Sequence, residues 1–234
     1  MRNLYCAAGI LFSAAVLASS AQAEEATWGI QMEQFEYRLG EGSDNLLAWD
    51  FDAFVGTYDY KFVWRSEAEY ETEPNTFETL ENQARIQVPI TDFFDAVAGV
   101  RIDTPEGQDR LHGVIGIHGL AQQWFEVDAD LFLSENPSAR FEAEYEGLIT
   151  NRLILVPSVE LDLPFNDDPD AEVGAFGPTL ELGARLSYDV VDRLLSPYVG
   201  VHYERVFGET ADLAEAEGKD NDTIFGVVGI RVLF

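Results

Sequence analysis

The sequence has almost none of the residues that form disulfides or soft metal sites. Its 234 residues include one cysteine, two methionines and three histidines. The cysteine, Cys6, lies in an N-terminal segment that we interpret as a removable signal. We therefore expect a mature protein with no disulfide and no thiolate metal site.

Basic residues are also scarce. Lysine and arginine number 14 against 43 aspartates and glutamates, a formal net charge of -29 at pH 7. This balance argues against nucleic acid as a partner, because phosphates require basic contacts. Disordered chains often carry such a charge, but a hydrophobic content of 47% and an aromatic content of 12% are too high for disorder. The acidic and apolar residues must therefore occupy different faces of a folded chain.

Long apolar runs are missing as well. Beyond the N-terminal segment, no stretch of 18 or more apolar residues could form a transmembrane helix. The N-terminal segment itself has Arg2, a short apolar core at residues 7–18, and a small-x-small sequence that ends at Ala23. We expect residues 1–23 to be a Sec signal peptide, cleaved near Ala23, and residues 24–234 to form one domain.

What the chain does have is a strict alternation of apolar and charged residues, which is clearest between residues 124 and 156. Phe125, Val127 and Leu131 share one parity, whereas Glu126 and Asp128 fall on the other. Successive side chains of a strand point to opposite faces, so this spacing predicts one apolar and one charged face. In a transmembrane barrel the apolar face contacts lipid and the charged face lines a wet lumen.

Twelve such runs can be counted, and short connections alternate with longer, polar ones such as residues 166–177 and 208–221. These features predict an all-β fold: a transmembrane antiparallel up-and-down β-barrel of about 12 strands, with short periplasmic turns and longer extracellular loops. A soluble β-sandwich is the alternative. We expect the cell outer membrane of a Gram-negative bacterium, with membrane lipid around the barrel and the assembly machinery reading the strand that ends at Phe234.

The polar parity assigns many charged side chains to the lumen. They form either an ion-pair lattice that crosslinks the strands or a path or site for cations, and the excess of acid favours the latter. The arginines of this parity are Arg38, Arg65, Arg85, Arg101, Arg140, Arg185 and Arg231. The predicted lumen acids are Asp50, Asp52, Glu67, Glu126, Asp128, Glu142, Glu144, Glu160, Glu181 and Glu204.

Candidate metal ligands are few. His112 and His118 share a face of one strand, but six residues separate them by about 20 Å, so they cannot bind one ion together. Each histidine would need a carboxylate or methionine partner, and the alternative is three hydrogen-bonded polar side chains. No Ser–His–acid arrangement can be argued from the spacing, so we do not expect an enzyme. The candidate metal ligands are Met32, Glu36, His112, His118 and His202.

Several motifs resemble the copper resistance protein B family of outer-membrane proteins. They are QWFEVDA at residues 123–129, SARFEAEYEGLITNRLILVP at 138–157, SPYVGVHYERVFGETADLAEAEGKD at 196–220 and EQFEYRLGEG at 33–42. The resemblance implies a twelve-strand outer-membrane barrel linked to copper resistance or homeostasis, a bound copper ion, and a periplasmic copper-handling protein as partner.

One feature departs from the family pattern. Members commonly carry a segment rich in methionine and histidine before the barrel, whereas here the first strand-like run begins at Trp28. We therefore expect any copper role to rest on barrel residues, with copper bound in the acidic lumen or passed through it across the outer membrane. The alternatives are a general cation-selective pore for small solutes and a passive structural barrel with no copper role.

Overall fold

The computed structural model describes residues 26–40, 45–72, 75–104, 109–191 and 193–234. The predicted signal peptide lies outside these residues. Within them, no helix is both long enough and apolar enough to cross a bilayer.

The described chain folds into twelve strands and one α-helix. The eighth strand has two parts, separated at Glu146 but paired in the same register with the strand that follows. The strands are β1 Thr27–Leu39, β2 Asn45–Gly56, β3 Lys61–Glu71, β4 Thr76–Pro89, β5 Phe94–Asp103, β6 Arg110–Ala121, β7 Phe125–Leu133, β8 Ser138–Tyr145 with Gly147–Leu148, β9 Leu153–Pro164, β10 Thr179–Tyr188, β11 Leu195–Val206 and β12 Asp222–Leu233.

These strands close into a barrel. Each strand is antiparallel to its neighbour in sequence, and β1 pairs with β12 along registers such as Tyr37 with Val228. Closure satisfies the backbone N–H and C=O groups of what would otherwise be edge strands, as a structure surrounded by lipid requires. The all-β, twelve-stranded antiparallel barrel predicted from the alternation is confirmed.

The two ends of the barrel differ in their connections. One end, here called the turn rim, has only the short segments 57–60, 90–93, 122–124, 149–152 and 189–194. The other, the loop rim, carries the two longest connections, 165–178 and 207–221. The polar loop predicted at 208–221 is wrong in part, because Gly208–Glu217 form helix α1. Alanine, leucine and glutamate favour a helix there, and Gly218 ends it with a φ of 79°.

The barrel is apolar outside and polar inside. Ile115 and Ile117 on β6 are exposed on the outer surface, whereas Gln83 and Arg85 on β4 are only 1% exposed. A soluble protein buries its apolar side chains, so this inverted distribution fits a wall that faces lipid.

A bulge in β1 changes where one predicted ligand lies. The register with both neighbouring strands shifts just after Met32, and this extra residue reverses the alternation. Met32 therefore pairs with Phe51 and Val232 on the outer face, whereas Glu36 beyond the bulge is buried inside. Met32, a candidate metal ligand in the sequence, thus lies on the outer face, away from the lumen acids.

A charge placed on the outer wall tests the lipid-facing assignment. We expect Ile115→Arg, at the middle of β6, to destabilise the barrel by about 2–4 kcal/mol, because a guanidinium there must enter the hydrocarbon. Leu111→Arg, on the same face of β6 but near the loop rim, should cost no more than about 1 kcal/mol. Denaturant unfolding in lipid vesicles measures both, and equal costs would contradict the assignment.

Candidate functional site

The barrel encloses an acidic chamber of about 1090 Å³. Twenty carboxylate side chains line it, against seven arginine and lysine side chains. The structure places all ten predicted lumen acids in this lining. The chamber therefore holds twenty of the 43 acidic residues of the chain, among them all those assigned to the lumen by the alternation.

Arg65 on β3 joins the walls on one side of the chamber to those on the other. Its Nε lies 3.2 Å from Asp52 Oδ1 on the neighbouring strand β2. Its other nitrogens reach further, to Asp128 Oδ1 on β7 at 3.8 Å and to Glu142 Oε2 on β8 at 3.6 Å. One guanidinium thus connects four strands that lie on different sides of the lumen.

Arg140 on β8 makes the reverse crossing. Its Nη1 donates to Glu67 Oε2 on β3 at 2.7 Å, and its Nη2 lies 3.1 Å from Glu81 Oε1 on β4. On its own side, Nε donates to Asp162 Oδ1 on β9 at 3.0 Å. These contacts are those of an ion-pair lattice that crosslinks strands across the lumen.

A buried phenylalanine fills the space among these arginines, and the sequence analysis did not single it out. Phe132 is fully buried inside the lumen, with the Arg101 guanidinium carbon 4.3 Å from its ring centroid and that of Arg140 at 5.7 Å. Cations are attracted to the face of an aromatic ring. The sequence did contain a sign of this position. Phe132 alternates in step with the acids of residues 125–133, whereas the other apolar residues of that run occupy the opposite face.

Glu36 is buried, and its carboxylate oxygens accept hydrogen bonds from protein groups. It accepts hydrogen bonds from Arg38 Nε and Arg185 Nε at 2.8 Å, from Arg185 Nη2 at 2.8 Å, and from Tyr198 Oη at 2.9 Å. A carboxylate has about four lone-pair positions, and these four bonds use them. Glu36 therefore acts as a structural anchor, and the structure does not support its prediction as a metal ligand.

Each of the three histidines lies beside a different carboxylate. His112 Nε2 is 3.1 Å from Asp103 Oδ2, and the ring stands edge-on to Phe132. His202 Nε2 is 3.4 Å from Glu181 Oε2 and 3.3 Å from Arg38 Nη1, which can only donate to it. The lone pair of that nitrogen is thus directed at a protein donor.

His118 differs from the other two because one of its ring nitrogens has a carboxylate within hydrogen-bond distance and the other faces a second carboxylate. Its Nδ1 lies 3.0 Å from Asp128 Oδ2, so an ionised Asp128 accepts the Nδ1 proton. In the neutral imidazole Nε2 then carries the lone pair, and it lies 4.0 Å from Glu126 Oε1. A carboxylate that orients an imidazole in this way is the usual support for a metal-binding histidine. Over the part of the chain that the structure describes, however, no three His, Cys, Asp or Glu side chains are assembled as a metal site.

The loop rim carries a cover over part of the chamber. Thr210 on α1 is buried, donates to the carbonyl of Gly177 at 2.7 Å and accepts from the N–H of Gly174 at 3.1 Å. Asp168 fixes the same connection to the wall, since it accepts from Arg110 at 3.0 Å and from Asn136 at 2.7 Å. The helix and residues 165–178 thus form one bonded unit above the acids.

Comparison with solved structures defines the class of the protein. The NanC porin and the KdgM porin each match with a TM-score of 0.52 and 12% identity, over 88% of this chain and 99% of theirs. The chain thus has the fold of a porin-type transmembrane β-barrel.

Sequence comparison then gives the family. Residues 26–234 match the model described as "Copper resistance protein B precursor (CopB)", and the chain belongs to this family. It is 36% identical over 190 residues to the copper resistance protein B homolog of Pseudomonas syringae pv. tomato, covering 80% of this chain and 64% of that protein. It is 31% identical over 207 residues to copper resistance protein B of Escherichia coli, covering 88% and 69%. Family and fold together make this an outer-membrane barrel.

Removing one member of the lattice should cost far more than removing a rim charge. Arg85 is only 1% exposed and is bonded to Asp130, with Asp128 3.4 Å away, so Arg85→Met leaves buried carboxylates without their cation. We expect a loss of about 3–5 kcal/mol in the free energy of unfolding. Arg193→Met, at the exposed Arg193–Glu146 pair of the turn rim, should cost less than about 1 kcal/mol. Unfolding in detergent micelles measures both, and an equal loss would argue against a stabilising lattice.

Proposed function

We propose that this protein is an outer-membrane barrel of copper resistance that takes up divalent copper in its acidic chamber and passes it through the lumen. One observation carries this proposal: the chamber is lined by twenty carboxylates and only seven basic side chains. Family membership supplies the copper context.

The charge balance favours cations over anions. A cleft lined by one sign of charge and bounded by low-dielectric walls raises the local concentration of the opposite ion. Part of the acid is also uncommitted, because Asp50, Glu71 and Glu204 line the chamber but form no ion pair with a described residue. These carboxylates can hold a cation without first releasing an arginine.

The donor atoms favour copper(II) over copper(I). Oxygen and imidazole nitrogen suit the divalent ion, whereas copper(I) prefers thiolate and thioether sulfur. The chamber lining contains carboxylates and histidines and no sulfur side chain among the described residues, and Met32 lies on the outer face. His118 does not line the chamber itself, but it contacts two lining acids, Asp128 at 3.0 Å and Glu126 at 4.0 Å, and can join them in holding an ion.

A broader cation path is the second candidate. The observation that favours it is that the described residues hold no assembled group of three metal-ligating side chains. Such a lumen would concentrate any small cation, and its conductance would show no preference for copper(II).

Removing the uncommitted acids tests the proposal. We expect D50N/E71Q/E204Q, which keeps the side-chain shapes and breaks no described ion pair, to lower copper(II) bound per purified barrel and to lower the copper tolerance of a complemented deletion strain. The control D92N/E209Q/D212N removes three exposed acids outside the chamber and should behave like the wild type. A deletion strain with unchanged copper tolerance would refute the copper role.

The histidines give an independent test. We expect His118→Gln to weaken copper(II) binding measured by calorimetry, because it removes the one imidazole nitrogen whose lone pair faces Glu126 without a protein donor. His202→Gln should have little effect, since its Nε2 already lies against Arg38. Equal affinities for the wild type and both variants would leave the carboxylates as the only ligands.

A further inference from the structure

Two arginines span the lumen rather than lie along the wall that carries them. Arg65 on β3 reaches Asp128 on β7 and Glu142 on β8. In a closed ring of twelve strands these partners are four and five places away, close to the opposite side.

Arg140 on β8 crosses in the other direction. Its partners Glu67 on β3 and Glu81 on β4 are five and four places away around the ring. The side chains of both arginines are 9% exposed, so their guanidinium groups stand among carboxylates from both walls.

The two crossings are joined to each other. Glu67 accepts from Arg140 Nη1 at 2.7 Å through Oε2, and its Oε1 lies 3.8 Å from Arg65 Nε. The chain of contacts therefore runs from β8 through Glu67 to Arg65 and back to Glu142 on β8. A solute that travels along the lumen meets this double bridge on its path.

From this geometry we propose that Arg65 and Arg140 are the gate of the lumen, and that they determine both its width and its ion preference. The two guanidinium groups stand in the lumen among carboxylates that outnumber them, so a passing cation competes with them for those carboxylates. A divalent ion competes more effectively than a monovalent one, because its attraction to each carboxylate is twice as large at equal distance. The inference rests on the proposed function only in taking cations as the cargo.

A purely structural role would give a different result. Crosslinks such as Glu36 with Arg185 hold strands together with all lone pairs used, and their loss changes stability. The residues of a gate also determine the width and charge of the lumen, so their loss must change ion passage. Ion conductance separates the two roles, because it responds to the width and charge of the lumen in a barrel that remains folded.

The experiment compares R65Q/R140Q with the wild type in planar lipid bilayers. We expect a several-fold rise in single-channel conductance in potassium chloride, and a rise in the permeability of magnesium relative to potassium, because the bridge carboxylates lose their arginine partners and attract a divalent ion twice as strongly as a monovalent one. R65K/R140K keeps the charges but cannot form the forked contacts, and we expect an intermediate conductance. Arg193→Gln removes an exposed rim charge and should leave both quantities unchanged.

Folding of each variant is checked by its heat-modifiable mobility on a gel. If R65Q/R140Q is folded and conducts like the wild type, or if Arg193→Gln gives the same rise, the gate is refuted. Copper tolerance is measured separately, in cells of the deletion strain. A conductance rise without any copper phenotype in the deletion strain would keep the gate and refute the copper role, whereas a copper phenotype without a conductance change would do the reverse.

Discussion

Pairing of buried charge across a narrow lumen is the interaction on which the rest of this structure depends. A barrel whose outer wall must be apolar has to place its polar residues inside, and here the acids outnumber the basic residues by twenty to seven. Carboxylates packed against one another would repel, so arginines from facing strands stand between them. Arg65, Arg85 and Arg140 together tie β3, β4, β7 and β8 through shared carboxylates such as Glu67 and Asp128.

Two groups of carboxylates stand in the interior, those that pair with arginines and those that form no ion pair with a described residue. Around the arginines, each carboxylate has a guanidinium partner and the side chains hold one another in place. Elsewhere in the chamber the acids outnumber their partners, and Asp50, Glu71 and Glu204 remain uncommitted. The same excess that would weaken a soluble core creates a concentrated negative potential inside the barrel. Stability and cation attraction therefore come from different members of one set of carboxylates.

Much of the fold could be predicted from the sequence because alternation is a local property. The period of two in residues 125–133 fixes the lumen position of Glu126 and Asp128 whatever the strand pairs with. Met32 could not be placed in this way, since a single bulge after it reverses the faces. The helix at Gly208–Glu217 was not predicted, because its acidic residues indicate a polar loop as well as a helix.

The residues that line the chamber could be predicted from the sequence, but the ion pairs and hydrogen bonds among them could not. Parity alone places all ten acids in the chamber, yet the partners of Arg140 across the lumen are 59 and 73 residues away and depend on how the ring of strands closes. The saturation of Glu36 by Arg38, Arg185 and Tyr198 likewise arises only when β1, β10 and β11 surround the same point.

The most direct test of copper in the chamber is anomalous X-ray scattering from crystals of the barrel soaked in copper(II). We predict copper peaks inside the barrel, next to the uncommitted carboxylates or between His118 and Glu126. Copper confined to the outer surface at saturating concentration, with none in the chamber, would contradict a copper-binding lumen.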